Sequence, residues 1–247
     1  MAASNRSGRP FATLRRVVQL VAVFALGAYL QASGTLSAML MYSEDVLYLI
    51  RQHIFLVAVS SALAILFAVP LGILLTRPRF HRYTNFATQF VNLGTTIPTL
   101  AVLALSMSFL GIGAPPAIFG LFVMTLLPVL LNTIAGLRSV PPRLLEAGRG
   151  MGMTDRQMLF QVELPNAAFV ILAGIRTGLA INVGTAPLAF LIGGGSLGEL
   201  IFTGIALNDL PMMLAGAIPT ALLAILIDFA IGQGQYWVVP KGVNPLR

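Results

Sequence analysis

Cysteine is missing from the chain altogether, and charge is scarce: Asp, Glu, Lys and Arg make up 9% of its 247 residues. Without a thiol there is no disulfide framework, no iron-sulfur cluster and no thiolate nucleophile. Soluble domains carry about a quarter charged residues, so this poverty of charge beside 57% hydrophobic residues excludes an ordinary soluble fold. The chain reads as a polytopic membrane protein. No polar block is long enough to form a soluble domain, and residues 1–247 read as a single membrane domain. Lysine occurs once, at Lys241, directly after Pro240 and with no glycine-rich loop before it. A G-x-x-x-x-G-K-S/T phosphate loop is therefore absent, and any ATP must be bound by another subunit. Nor do the apolar runs hold a Ser/His pair, paired aspartates or a zinc-ligand cluster, so no catalytic residue, metal or cofactor is expected.

What the chain does have is long apolar runs. Residues 1–16 are a polar tail with Arg6, Arg9, Arg15 and Arg16, and the run from Val17 to about Ala32 is read as a retained first span rather than a signal peptide cut near Gln31. A mixed stretch, 33–53, holds Glu44, Asp45, Arg51 and His53, and is read as a connector. The second span, Ile54 to Leu75, has the roughly 20 residues needed to cross hydrocarbon and contains Pro70. Beyond a basic connector with Arg77, Arg79, His81 and Arg82, the third span begins on a wet-faced helix and continues through an apolar body from Leu100 to about Leu110. The fourth runs from Ile118 to about Leu137 and the fifth from about Ala167 to Ile192, where Gly193, Gly194 and Gly195 break it. Residues 193–211 read as a re-entrant segment with a short helix, and Met212 to about Ile231 is the sixth span, with Tyr236 and Trp237 at the interface beyond it. The expected fold class is all-α, with about six transmembrane helices.

Net charge is +7, and its distribution is informative. Six spans put both termini on one side; if that side is the cytoplasm, thirteen of the fifteen basic residues are cytoplasmic, leaving Arg51 outside and Arg176 within a span. Inverting the topology reverses the count, so both termini are expected in the cytoplasm. The basic excess is then topological, and nucleic-acid binding is not expected.

One polar island, Ser139 to Pro165, lies between the fourth and fifth spans and holds Glu146, Asp155 and Glu163. Pro141 and Pro142 suit a helix start, where a missing amide hydrogen costs nothing. Gly150 and Gly152 are expected to stop that helix. Thr154 and Gln157 have capping-box spacing, so a second helix should begin at Asp155 and end where Pro165 breaks it. Glu146, Ala147, Gly152, Val162, Leu164 and Pro165 fall at the spacing of the EAA motif, and the island resembles the coupling loop of ATP-binding cassette importer permeases. Two positions depart from that pattern: Gly148 replaces the second alanine and Val162 the isoleucine. The resemblance extends from about Gln52 to Ile205, where VPLGILLTRP, TTIPTLAVLAL, LLPVLLNTIAGL and AGIRTGLAINVGTA look like the branch serving uptake of glycine betaine, choline, carnitine and related osmoprotectants.

That resemblance implies a type I importer permease in the bacterial inner membrane, docking through 139–165 onto two ATPase subunits. It also implies a second permease copy or paralogue and an extracytoplasmic binding protein that delivers substrate near 193–211. Within the spans, Arg176 is expected to pair with Asp228, to pair with a loop carboxylate, to snorkel to the inner surface, or to gate substrate from the inner half of its span. Thr96, Pro98, Asn182 and Thr185 line the translocation path or bond between helices. Gly174 and Gly178 form a small-xxx-small packing face. Few titratable groups lie inside the spans, which argues against ion coupling. The rival reading is a secondary transporter or channel that works without an ATPase.

Overall fold

The computed structural model describes residues 27–239, together with Val18, Val21, Phe24, Ala25 and Gly242. The expected tail 1–16 and most of the expected first span lie outside the described residues. Among the described residues four helices are long and apolar enough to cross a membrane, or five if one bent pair counts as a single span.

A short helix, α1 (Thr35–Met39), leads through one tight turn into α2 (Ser43–Thr76), which continues unbroken past Pro70. At 34 residues it is about 51 Å long, well beyond the roughly 30 Å of hydrocarbon. The helix thus starts eleven residues before the apolar run that the sequence marks. Glu44 and Asp45 sit in its first turn, where the helix dipole favours them, and Leu49, His53 and Leu56 continue its buried face. His53 is therefore a core residue of α2 and not part of a connector.

The third span also differs from its expectation. Helix α3 (His81–Thr96) and α4 (Thr99–Leu110) meet at a 99° bend instead of forming one continuous rod. Pro98 is the cause: it lacks an amide hydrogen and holds Ile97 in an extended conformation, φ −74° and ψ 126°. Helix α4 alone is about 18 Å long, too short to cross.

Helix α5 (Ala114–Arg138) is central, packing most extensively against α2 and against α8 (Leu164–Thr185). Glycines allow the approach. The side chain of Thr133 fills the space beside Gly72, Asn132 that beside Gly174, and Thr125 with Val129 that beside Gly178. In lipid, close van der Waals contact of this kind replaces the hydrophobic drive that assembles soluble helices.

After α8 the chain narrows into a tighter helix, Ala186–Ile192, turns at Gly193 and Gly195 with positive φ, and returns as α9 (Gly198–Leu207). Ser196 holds the turn: its hydroxyl donates to the Ala186 carbonyl at 3.0 Å and accepts the Gly198 amide at 3.2 Å. The final helix, α10 (Leu210–Val238), is capped by Asp209, which accepts the Met212 amide and the Tyr42 hydroxyl, each at 2.9 Å. All the long helices share two ends. At one gather Arg77, Arg79, Arg138 and the polar island; at the other gather Gly113, bonded to the Ile192 carbonyl, and Gln52, bonded to the Ser196 amide.

A β-carbon at Gly198 would collide with the backbone carbonyl of Pro187, which cannot rotate away. Gly198→Ala should therefore lower stability by about 1–3 kcal/mol. Gly184, in α8 with open space around it, should tolerate alanine or gain up to about 1 kcal/mol. Thermal unfolding midpoints of the purified variants check both.

Candidate functional site

The polar island is built from two helices at the basic end. Pro141 precedes α6 (Pro142–Gly150) with extended backbone, and the Leu144 amide donates to its carbonyl at 2.9 Å. The helix stops on two bonds, Met151 to the Ala147 carbonyl and Gly152 to the Arg149 carbonyl. Gly152 then takes φ +77° in open space, so what the position demands is conformation and not room.

Thr154 caps α7 (Asp155–Gln157). Its amide donates to Gln157 Oε1 at 2.9 Å, and the Gln157 amide returns to Thr154 Oγ1 at 3.4 Å. The helix then widens into a π-turn, Met158–Glu163, and runs directly into α8. The expected break at Pro165 does not occur. The widened turn moves the register so that Pro165 falls at the start of the next α-helical segment, where its missing hydrogen is tolerated. Asn166 supplies a side-chain donor to the Val162 carbonyl at 2.6 Å. The second half of the loop, from Asp155 onward, is therefore continuous with α8.

The two faces of the island are distinct. Glu146 and Ala147 are exposed, whereas Gly148 is buried beneath the thioethers of Met158 and Met153. The departure from alanine at 148 thus coincides with a methionine end occupying the space of the absent methyl. Leu145 and Leu164 pack onto a buried cluster of Leu137, Val140, Ala167 and Ile171 from α5, the loop and α8. Val162 and Pro165 are half-buried. Glu163 forms an ion pair with Arg77, whose Nε also donates to the Ile73 carbonyl at 3.2 Å. That pair fastens the loop to the end of α2. The sequence carries no local sign of it, because its members are 86 positions apart.

Within the helices, Arg176 and Asp228 form a two-point ion pair, Nε to Oδ1 at 2.5 Å and Nη2 to Oδ2 at 2.6 Å, joining α8 to α10. Gly232 makes room for the guanidinium, and Gln235 donates to the Phe169 carbonyl at 3.0 Å. The two charged side chains are 39% and 41% exposed. Charge facing hydrocarbon costs several kcal/mol, so this face belongs against water or protein. Asn182 is fully buried and donates to Ser60 and Ser61 of α2, each at 2.8 Å. Thr96 and Pro98 are exposed at the bend, and the hydroxyl of half-buried Thr185 donates to the Ile181 carbonyl at 2.8 Å.

A family model described as a binding-protein-dependent transport system inner membrane component matches residues 68–241. The chain belongs to that family. The permease is 50% identical over 218 residues to the osmoprotectant import permease protein OsmY of Salmonella typhimurium, covering 87% of this chain and 92% of that one. It is 44% identical over 196 residues to the carnitine transport permease protein OpuCB of Listeria monocytogenes, covering 79% and 89%. Among solved structures, an inward-facing MetNI methionine ABC transporter superposes with a TM-score of 0.72 at 23% identity, covering 79% of this chain and 96% of that one. That likeness shows a fold shared with this ABC transporter chain.

Family membership decides between the rival readings. The permease is the multi-pass inner-membrane component of an ABC importer; it is a transport subunit and not an enzyme, and ATP hydrolysis lies in a separate subunit. Its partners are accordingly ATPase subunits, a substrate-binding protein and the membrane.

Asn182→Ala would remove both interhelical bonds to α2. It should destabilise the permease by about 1–3 kcal/mol, read as a lower unfolding midpoint, while uptake per folded molecule stays within about twofold of the parent.

Proposed function

We propose that the permease carries a quaternary-amine osmoprotectant such as glycine betaine, choline or carnitine, and that residues 139–165 are the coupling loop through which ATPase closure enters the membrane. The substrate reading is supported by the relatives, which include a glycine betaine/carnitine/choline transport system permease of Bacillus subtilis at 40% identity. The coupling reading rests on one observation: Glu146 and Ala147 stand exposed on α6, while Leu145 and Gly148 seat that helix on the bundle and Leu164 and Glu163 fasten the rest of the loop to α8, α5 and α2.

In this reading the basic end faces the cytoplasm, because Arg77, Arg79, Arg82, Arg138, Arg143, Arg149 and Arg156 lie in its connectors. Residues 1–16 form a cytoplasmic tail, both termini are cytoplasmic, and 193–211 is the re-entrant segment presented to the binding protein. Two permease copies, or one and a paralogue, sit above two ATPase subunits. The Arg176–Asp228 face of α8 and α10 turns toward the shared path, which explains how an exposed ion pair survives in a span. Helix α10 leaves most of its apolar surface exposed in this chain, which provides area for a second copy. Thr96, Pro98 and Thr185 border the path, and Asn182 holds α2 against α8 behind it.

A push on the exposed face of α6 would travel through the π-turn into α8 and through Arg77 into α2. Since the second half of the loop runs unbroken into α8, ATPase closure would tilt α8 and change which side of the path is open. The ATPase does the chemistry and this chain converts it into motion.

Proteoliposomes holding the permease, its ATPase subunit and its binding protein test the reading. Gly152→Pro and Glu146→Arg should lower labelled glycine betaine uptake at least about tenfold while ATP hydrolysis persists. Normal uptake in both variants would overturn the coupling role. Failure of the parent complex to move glycine betaine, choline or carnitine would overturn the substrate class alone.

A further inference from the structure

A cavity of about 670 Å³ opens at the basic end, between the connector after α2 and one side of α6. Its floor is apolar, made by Leu137, Val140 and Met158, all buried. Its rim carries four guanidinium groups from three segments: Arg77 and Arg79 after α2, Arg138 ending α5, and Arg149 in α6. Arg77 is neutralised by Glu163. Arg79, Arg138 and Arg149 have no hydrogen-bond or ion-pair partner among the described residues. Asp155 and Glu163 are the carboxylates of the lining, so four arginines leave it with a formal charge of +2. Three unpaired cations round one hollow build a positive potential that a bound anion would relieve.

Two observations select the anion. The cavity lies where two helices long and apolar enough to cross a membrane end, Thr76 of α2 and Arg138 of α5 both lining it, and the ends of such apolar runs are where lipid headgroups are met. A basic rim over an apolar floor also matches a phosphodiester joined to glycerol and methylene groups, with arginine suited to two-point contact with phosphate oxygens. Helix α6 lines the cavity with Pro142, Leu145 and Arg149, spaced three and four apart, whereas exposed Glu146 and Ala147 do not line it. The hollow is therefore separate from the surface offered to the ATPase.

We propose that this cavity binds the phosphate headgroup of an anionic phospholipid, which wedges between α6 and the connector and sets the resting position of the coupling loop. The proposal stands on the cavity and the membrane placement and does not depend on which solute is carried. It gives the loop a second input: besides the ATPase, the acidity of the adjacent leaflet would determine how firmly α6 is held against α2 and α5.

The test uses the assembled permease and ATPase complex in detergent, with bound lipid counted by native mass spectrometry. Phosphatidylglycerol should be retained and zwitterionic phosphatidylcholine should not. The triple variant Arg79→Gln, Arg138→Gln, Arg149→Gln should retain phosphatidylglycerol about a hundredfold less well, roughly fivefold for each arginine near an acidic lipid surface. Arg143→Gln with Arg156→Gln, which removes two charges from the same loop outside the cavity, should leave retention unchanged. An unchanged unfolding midpoint in both variants confirms that they are folded. Three results would each overturn the proposal. One is equal loss of lipid in the two variants. Another is displacement of the lipid by excess inorganic phosphate, which would make the site a free-phosphate site. The third is a triple variant that sheds the ATPase while retaining phosphatidylglycerol as the parent does, which would assign the arginines to protein docking.

Discussion

Helices in hydrocarbon gain nothing from merely hiding apolar side chains, because lipid tails are as apolar as leucine. They stay together through close packing and through the polar groups that lipid cannot satisfy. Here the close packing centres on α5, where Thr125, Val129, Asn132 and Thr133 fill the hollows left by glycines of α2 and α8. The polar side is supplied by Asn182 reaching two serines of α2 and by the Arg176–Asp228 pair joining α8 to α10. Each of these contacts is made across helices, so the bundle depends on α5 holding its neighbours at glycine distance.

This arrangement gives the polar loop a firm seat. Helix α6 is short, and its nine residues could not persist as an isolated helix in water. It persists because Leu145 and Gly148 seat it on the end of the bundle, and because the π-turn at Met158–Glu163 carries the chain into α8 without a break. A π-turn is a costly feature and is often found where function needs it. In this chain it also explains how a proline can stand at 165 in a continuous helix. The Arg77–Glu163 pair adds a lateral tie, so the loop is joined to three helices.

Much of this was legible from residue order. The apolar runs marked α2, α5, α8 and α10, because crossing hydrocarbon needs a length of uncharged chain and little else. Prolines, glycines and the Thr154–Gln157 spacing marked the loop's two helix starts and its turn, because caps are local chemistry. The misses concern what lies beyond the local sequence. Ile97–Pro98 became a 99° bend and Pro165 no break at all, since a proline's effect depends on what its neighbours can re-satisfy. His53 moved from connector to core because an acidic first turn and a buried face carried α2 beyond its apolar run.

The sequence by itself determined the solvent of this protein, the approximate places where it crosses the membrane, the side on which positive charge collects, and the loop that carries the EAA spacing. Those are properties of composition and of residues within a turn or two of one another. Only the tertiary structure decided that α5 is the hub, that Glu163 answers to Arg77 and Asp228 to Arg176, and that Asn182 is buried against α2. It alone also decided that three arginines from separate segments share one hollow. Such pairings join residues tens of positions apart, and they are set by which helix faces meet once backbone contact at the glycines has fixed the packing.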